Sequence, residues 1–350
     1  MSISPVVIAG RAIGPGHAPF IVAEVSANHL GCEARALEMI DIAGKAGVDA
    51  VKLQTYTADT ITIDHDGPEF VLRGGLWDGR NLYDLYREAH TPWSWHAGLF
   101  ERGRSLGLTV FSSPFDATAV ELLEGLGAPC YKIASFELVD IPLIRLCAST
   151  GKPLIMSTGM AGLGEIDLAL NTALKAGAPG VILLHCTSGY PTPFSEADLA
   201  TIPNLSETFG VPVGLSDHTD GVSSAIAATA LGACLIEKHY TIRRSDGGPD
   251  AAFSLEPDEL ALLAKTCRNA FAAIGAVRHV RAASEERSAK VRRSLYVVED
   301  IAAGASLTAQ NVRSIRPGLG LEPRFYDEVL GRKARQALKR GTPLNWTDIS

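Results

Sequence analysis

A closed (β/α)8 barrel of the TIM type, followed by a small separate C-terminal unit, is the architecture predicted by this 350-residue sequence. Three observations predict it. Eight short, nearly uninterrupted apolar runs recur along the first 240 residues, and each is followed by a segment with helical signals, which is the pattern of parallel α/β folds. After about residue 275 that pattern stops, giving way to a charged stretch and then to short strand and turn signals. With 46% hydrophobic and 20% charged residues the chain has an ordinary globular composition, which excludes disordered and fibrous classes. Its length favours one large domain with an appendage.

The strand candidates are residues 20–26, 50–55, 109–114, 130–135, 154–159, 181–186, 212–218 and 234–240. Eight strands fit a closed barrel better than an open doubly wound sheet. Between them, Thr91-Pro92 reads as a capping hydroxyl before a first-turn proline, and Asp116 opens a helix over 117–126. Gly47, Gly107, Gly127, Gly177, Gly210 and Gly232 stand a few residues before the next strand, where a helix C-cap wants a left-handed residue. Residues 56–90, rich in Asp, Gly and Arg, form the longest irregular insert, and an insert after the second strand lies on the catalytic rim. A helix from Pro257 to about Gly275 ends the barrel domain, 1–275. Residues 276–293 read as a linker and 294–350 as a small β-rich domain, too small to be comfortably stable by itself.

The formal charge of −7 argues against a nucleic-acid surface, which needs a clustered cationic face. The charge is split: residues 1–275 carry 18 Lys+Arg against 31 Asp+Glu, or −13, and residues 276–350 carry 14 against 8, or +6. A basic tail for a polyanion is one reading. The other is a basic module that docks on an acidic one, in the same chain or in a partner. Cys32, Cys130, Cys147, Cys186, Cys234 and Cys267 form no CxxC pair, so neither a zinc knuckle nor a dithiol motif is present, and they read as buried reduced thiols of a cytoplasmic protein. The N-terminus has no positive segment leading into an apolar one, and the longest low-charge run, 225–236, is shorter than the roughly 18–20 residues of a membrane span. Neither a secretion signal nor an anchor is expected.

In such barrels the chemistry sits at the C-terminal strand ends. The first strand carries Glu24, the second Lys52 and Gln54, the third Ser112 and Ser113, the fourth Lys132 and Ser135, and the fifth Ser157. The sixth leads through His185 to Thr187, Ser188 and Tyr190; the seventh ends Ser216-Asp217-His218 and the eighth Glu237-Lys238-His239. A lone strand lysine usually closes an ion pair, since an unpaired buried charge costs several kcal/mol. Two lysines, a run of hydroxyls and two histidines on one rim instead describe a pocket for a phosphorylated or carboxylated small molecule beside a divalent ion. His218 and His239 occupy equivalent ends of neighbouring strands. Two imidazoles without a thiolate leave coordination positions open, which suits catalytic Mn²⁺ or Mg²⁺ better than structural zinc. His185 is the competing ligand; His17, His29, His65, His90, His96 and His279 have no comparable setting. Arg316, before a Pro-Gly turn in the basic tail, reads either as surface charge or as a rigidly held arginine that reaches a substrate in a barrel mouth.

FIVAEVSANH at 20–29, VKLQT at 51–55, YKIAS at 131–135, GLSDHT at 214–219 and IEKH at 236–239 together resemble the sialic acid synthase family, over nearly the whole chain, and within it the pseudaminic acid synthases. The resemblance implies a TIM barrel with a C-terminal antifreeze-like (SAF) domain, and a domain-swapped homodimer in which that domain covers the partner's site. It implies condensation of phosphoenolpyruvate with an N-acetylated amino-sugar aldehyde, releasing phosphate. Glu24, Lys52 and Lys132 would be catalytic; Lys52, Lys132, Ser135, Ser157, Ser188, Tyr190 and Ser216 would grip phosphoenolpyruvate. Gln54, Asp250 and the partner subunit's Arg316 would meet the sugar, and His218 and His239 would hold Mn²⁺ or Mg²⁺. Two departures bear on substrate. Thr187-Ser188-Gly189-Tyr190-Pro191 has serine where sialic acid synthases typically have asparagine, and Phe253-Ser254-Leu255 follows the pseudaminic branch, whose more apolar loop suits 2,4-diacetamido-2,4,6-trideoxy-L-altropyranose. N-acetylneuraminate or legionaminate synthesis, a metal-dependent aldolase, and a sugar- or ice-binding protein built around the tail are the alternatives.

Overall fold

Alternation along parallel strands decides which side chains face the barrel axis and which face the helices. The computed structural model describes residues 3–350, in two units, one ending at Gly275 and the other beginning at Ala276. The first opens with an antiparallel hairpin, β1 (Val6–Ile8) and β2 (Arg11–Ile13). Then come β3 (Phe20–Glu24), β4 (Ala50–Thr55), β5 (Thr109–Pro114), β6 (Tyr131–Ile133), β7 (Leu154–Ser157), β8 (Val181–Cys186), β9 (Val213–Asp217) and β10 (Leu235–His239). They close in chain order, with β10 hydrogen-bonded in parallel to both β9 and β3. All eight strands expected from the sequence form, several a little shorter than their apolar runs because the last residues already turn into rim loops.

Ile21, Val51, Ile133, Met156 and Leu183 point outward and pack with helix residues such as Met39, Ile40 and Leu170. Phe20, Val22, Phe111, Ile155, Leu184 and Leu235 point inward, in one cluster with Val6, Ile8 and Ile13 of the hairpin. The hairpin therefore packs against the barrel interior where the strands begin, leaving the other end for polar groups. Its three-residue strands were too short to stand out in the sequence.

The helices follow their signals with two corrections. Asp116 accepts from the amides of Thr118 and Ala119 at the start of the helix Ala117–Gly125. Thr91 caps nothing: the helix begins at His96 after a 3-10 turn, and Thr91 Oγ1 meets His29 Nε2 at 3.2 Å. The 56–90 insert is more regular than its composition predicts, with short helices at Ala58–Ile61 and Leu82–Ala89, the latter capped by Asn81. The six glycines before strands all have positive φ.

One buried ion pair lies on the outer side. Lys238 Nζ is 2.7 Å from Asp217 Oδ2, the two side chains being 0% and 1% exposed. Lys238 also donates to the Thr219 carbonyl, and Asp217 Oδ1 accepts from the Thr219 amide and hydroxyl at 2.9 and 2.8 Å. These two rim candidates thus face away from the axis and tie the ends of β9 and β10 together. Breaking a buried pair from one side leaves a charge uncompensated. Lys238→Met is expected to destabilise the protein by about 3–5 kcal/mol, measured as a lower urea midpoint at unchanged slope; an unmoved midpoint refutes this.

The second unit pairs β11 (Ser294–Val297) with β12 (Val312–Ile315) antiparallel. Single bridges Ile301↔Leu338, Ser306↔Lys333 and Ala334↔Ile349 extend its β character, around a core that includes Leu295, Val297, Val312, Leu338 and Leu344. Residues 276–293, expected as a linker, contain a 3-10 turn at Ala283–Glu285 and a short helix at Glu286–Ala289.

Candidate active site

Along each barrel strand the inward positions change from apolar to polar toward the C-terminal end. Val22 is succeeded by Glu24, Ala50 by Lys52 and Gln54, Phe111 by Ser113, Cys130 by Lys132, and Ile155 by Ser157. On the far side Leu184 gives way to Cys186, Gly214 to Ser216 and His218, and Leu235 to Glu237 and His239. A two-residue period on eight strands thereby gathers the inward-facing polar residues at one mouth.

At its centre is a buried ion network. Lys52 Nζ lies 2.6 Å from Glu24 Oε2 and 3.6 Å from Glu237 Oε1, and Lys132 Nζ lies 3.4 Å from the same Glu237 oxygen. Ser216 Oγ donates to Glu237 Oε1 at 3.2 Å, and Lys52 is 3.5 Å from Ser113 Oγ. Lys52 and Lys132 are only 3% and 2% exposed, so the balance of two cations and two carboxylates makes burial tolerable. Burial alone would raise the Glu237 pKa, but the two lysines outweigh it and hold it below the ordinary value. Burial wins at Glu24, whose pKa is raised despite Lys52. Burial also opposes the charge of Lys52, yet Glu237 and Glu24 keep its pKa up; at Lys132 burial prevails and the pKa falls. Glu237 is expected on the rim but with no role of its own, because an acidic residue inside an EKH run carries no sign of sitting between two lysines of other strands.

Gln54 extends this network outward. Its amide donates to Glu24 Oε1 and Ser26 Oγ, each at 3.0 Å, and Ser26 donates to Asp250 Oδ2 at 2.5 Å. The expected sugar contacts Gln54 and Asp250 are thus joined through Ser26, which the sequence reading passed over. Arg316 belongs to the second unit, exposed just after β12.

Beside Lys132 the serines converge on one glycine. The Gly159 amide donates to Ser135 Oγ at 3.2 Å. A Cβ at Gly159 would collide with Ser188 Oγ and stand 2.7 Å from Ser135 Oγ, so the backbone approaches both hydroxyls only because no side chain intervenes. Ser157 Oγ and Glu237 Oε2 are buried without a hydrogen-bond partner, which is costly unless a ligand or water completes them. Glu137, also absent from the expected site, has one buried carboxylate oxygen unpartnered, and burial pushes its pKa up to about 7.

The two imidazoles are neighbours, with ring centroids 5.4 Å apart. His218 Nδ1 is 3.1 Å from the Thr187 carbonyl, an arrangement that orients a ligating imidazole through its other nitrogen. His239 Nδ1 is buried and unpartnered, 4.0 Å from Asp250 Oδ2. Burial, reinforced by His218, holds His239 well below the usual histidine pKa, hence neutral as a ligand must be. Among the described residues no group of three or more His, Cys, Asp or Glu could enclose an ion. An ion held at this point would take two imidazoles, from His218 and His239, and its remaining ligands from water or substrate. His185, the competing candidate, faces outward and bonds the Ala197 carbonyl through Nε2 at 2.7 Å. Ser112 likewise faces outward, 2.6 Å from Thr55 Oγ1. Cys186 takes the inward position instead, with Sγ 3.8 Å from His218 Nδ1; burial would raise its pKa, but His218 brings it down to about 7.

A parallel barrel whose strand ends combine two lysines sharing one carboxylate, a serine cradle and two adjacent imidazoles forms an enzyme-type site suited to a small anion. The chain belongs to the NeuB family, whose model matches residues 39–279, and the SAF domain model matches residues 292–350. It is 44% identical to the pseudaminic acid synthase of Helicobacter pylori, over 95% of this chain and 98% of that one. A pseudaminic acid synthase of Campylobacter jejuni is 43% identical, with 94% and 96% covered. The crystal structure of N-acetylneuraminic acid synthetase from Leptospira borgpetersenii, in complex with citrate, superposes with a TM-score of 0.73 at 32% identity, covering 82% of this chain and 96% of that one. No helix among the described residues is long and apolar enough to cross a membrane.

Proposed function

We propose that this chain condenses phosphoenolpyruvate with 2,4-diacetamido-2,4,6-trideoxy-L-altropyranose, giving pseudaminic acid and inorganic phosphate. The observation that carries this reading is the sharing of Glu237 by Lys52 and Lys132, at 3.6 and 3.4 Å, with the Ser135 and Ser188 hydroxyls converging on Gly159. Two ammonium groups there oppose the carboxylate and phosphate of phosphoenolpyruvate, while Ser135, Ser157, Ser188 and Ser216 donate to its oxygens and Tyr190 walls it. The choice of sugar is supported by the 44% identity to a pseudaminic acid synthase over almost the full length.

Carbon 3 of phosphoenolpyruvate attacks the open-chain aldehyde carbon, and positive charge develops at carbon 2. Glu24, with its raised pKa and its bond to Gln54, is placed to take a proton from the water that adds at carbon 2. The tetrahedral intermediate then expels phosphate by breaking the carbon–oxygen bond. Gln54 and Asp250 orient the sugar. His218 and His239 would hold Mn²⁺ or Mg²⁺, which supplies Lewis acidity toward the aldehyde oxygen. In a domain-swapped homodimer the partner subunit's Arg316 would complete the sugar site; the −13 and +6 charges of the two segments support docking between copies.

The test is product analysis by mass spectrometry after incubation with phosphoenolpyruvate, Mn²⁺ and a panel of 2-acetamido sugars. The diacetamido trideoxy sugar is expected to give the 3-deoxy-nonulosonic acid with one phosphate released per product. A preference for N-acetylmannosamine or the legionaminic precursor reassigns the substrate, and turnover without phosphoenolpyruvate replaces the reaction with an aldolase.

A further inference from the structure

Trp77 lies in the 56–90 insert, far in sequence from the loop that follows β10. Its indole N–H nevertheless donates to the Pro249 carbonyl at 2.9 Å, one residue before Asp250. Its ring centroid stands 5.4 Å from that of Tyr190, which is 4.4 Å from His218 and 5.2 Å from Phe253. Phe253 is in turn 5.0 Å from His239. A continuous aromatic wall thus runs from the insert to both imidazoles. The loop 249–253 is held from two sides, by Trp77 through Pro249 and by Ser26 through Asp250.

The chemistry of that wall is selective. Aromatic faces accept C–H and methyl groups well, but a hydroxyl buried against them needs a partner. The Trp77 N–H is already committed to Pro249, and Phe253 has no polar atom. A sugar terminus ending in methyl loses nothing here, whereas a hydroxymethyl terminus leaves its oxygen unpaired.

We propose that Trp77 is a specificity-determining residue for the sugar aldehyde: it fastens the 249–253 loop and offers apolar ring surface that favours a deoxy, methyl-bearing terminus over a hydroxymethyl one. The inference rests on the function proposed above. It does not extend to the lysines and serines that grip phosphoenolpyruvate; Tyr190, held also by His218 and Phe253, is the one group that the two substrates share.

The experiment compares wild type, Trp77→Ala and Trp77→Phe by phosphate release, with the KM of the trideoxy sugar and of phosphoenolpyruvate measured separately. N-acetylmannosamine is added as a competing aldehyde. Removing the ring is expected to raise the sugar KM about tenfold or more, the scale of a lost apolar contact in a specificity pocket, with the phosphoenolpyruvate KM within about twofold. Trp77→Phe keeps a ring and should fall clearly between the two. N-acetylmannosamine should inhibit Trp77→Ala no less than wild type. A joint rise of both KM values marks a merely structural role and overturns the proposal. So does an unchanged sugar KM, a Phe variant as impaired as the Ala variant, or an equal loss of N-acetylmannosamine inhibition. Wild-type protein that releases no phosphate with the trideoxy sugar sinks instead the reaction assignment on which the inference stands, a result visible before any variant is made.

Discussion

Lys132→Ala is expected to lower kcat/KM for phosphoenolpyruvate by about two to four orders of magnitude, the equivalent of the roughly 3–5 kcal/mol lost when one member of a buried charge pair is removed. The reason lies in the electrostatics of the buried ion network. Glu237 is held ionised mainly by Lys132 and Lys52 together, and with Lys132 gone Lys52, at 3.6 Å, is its one remaining ammonium partner. The pocket would then change from neutral to negative just where a multiply charged anion must enter. Both KM and kcat should suffer, because the same ammonium group that attracts the anion also balances the phosphate as it leaves. Lysine-to-arginine exchange offers little rescue, since a planar guanidinium does not fit a site 2% exposed and shaped for an ammonium. Lys238 provides the internal contrast: its variant should lose stability, and its side chain turns away from the mouth. Steady-state phosphate release at several phosphoenolpyruvate concentrations decides the matter. A Lys132→Ala enzyme within about threefold of wild type would falsify the anion pocket.

The barrel was legible because eight parallel strands buried on both faces must be apolar almost throughout, so their runs stand out from the polar helix surfaces between them. The polar exceptions at the strand ends were visible for the same reason. What the runs do not show is parity. Whether His185 or Cys186 faces the axis depends on register, and a one-residue shift exchanges them. The observed pairing of His185 with Leu215 and of Cys186 with Ser216 puts the cysteine inside. Glu237, Lys238 and His239 were equally visible as a charged triplet, yet only alternation assigns the first and third to the site and the second to Asp217. Ser26, Glu137 and Trp77 were hidden for another reason: each lies in a rim loop or insert, where position is set by partners remote in sequence and not by any local period.

His239→Ala is expected to reduce phosphate release by more than about 100-fold, since altering residues that merely orient a ligand already costs about 10–100-fold. Prior removal of divalent ions with a chelator should have the same effect on wild type, reversed by adding Mn²⁺ or Mg²⁺. The expectation follows from what surrounds the ring. His239 Nδ1 is buried without a partner, although the ring is packed against Phe253 and His218 at 5.0 and 5.4 Å. Packing of that kind would be satisfied by a phenyl ring, and a buried imidazole nitrogen left unpaired is a penalty with no return in stability. A ligand at Nδ1 would remove that penalty, whereas packing alone would not. The two explanations separate on direct measurement of Mn²⁺ binding by electron paramagnetic resonance. Loss of bound Mn²⁺ in His239→Ala at unchanged melting temperature supports ligation. Full Mn²⁺ binding in the variant, or undiminished turnover by chelated wild type, would leave the paired imidazoles without a role in this reaction.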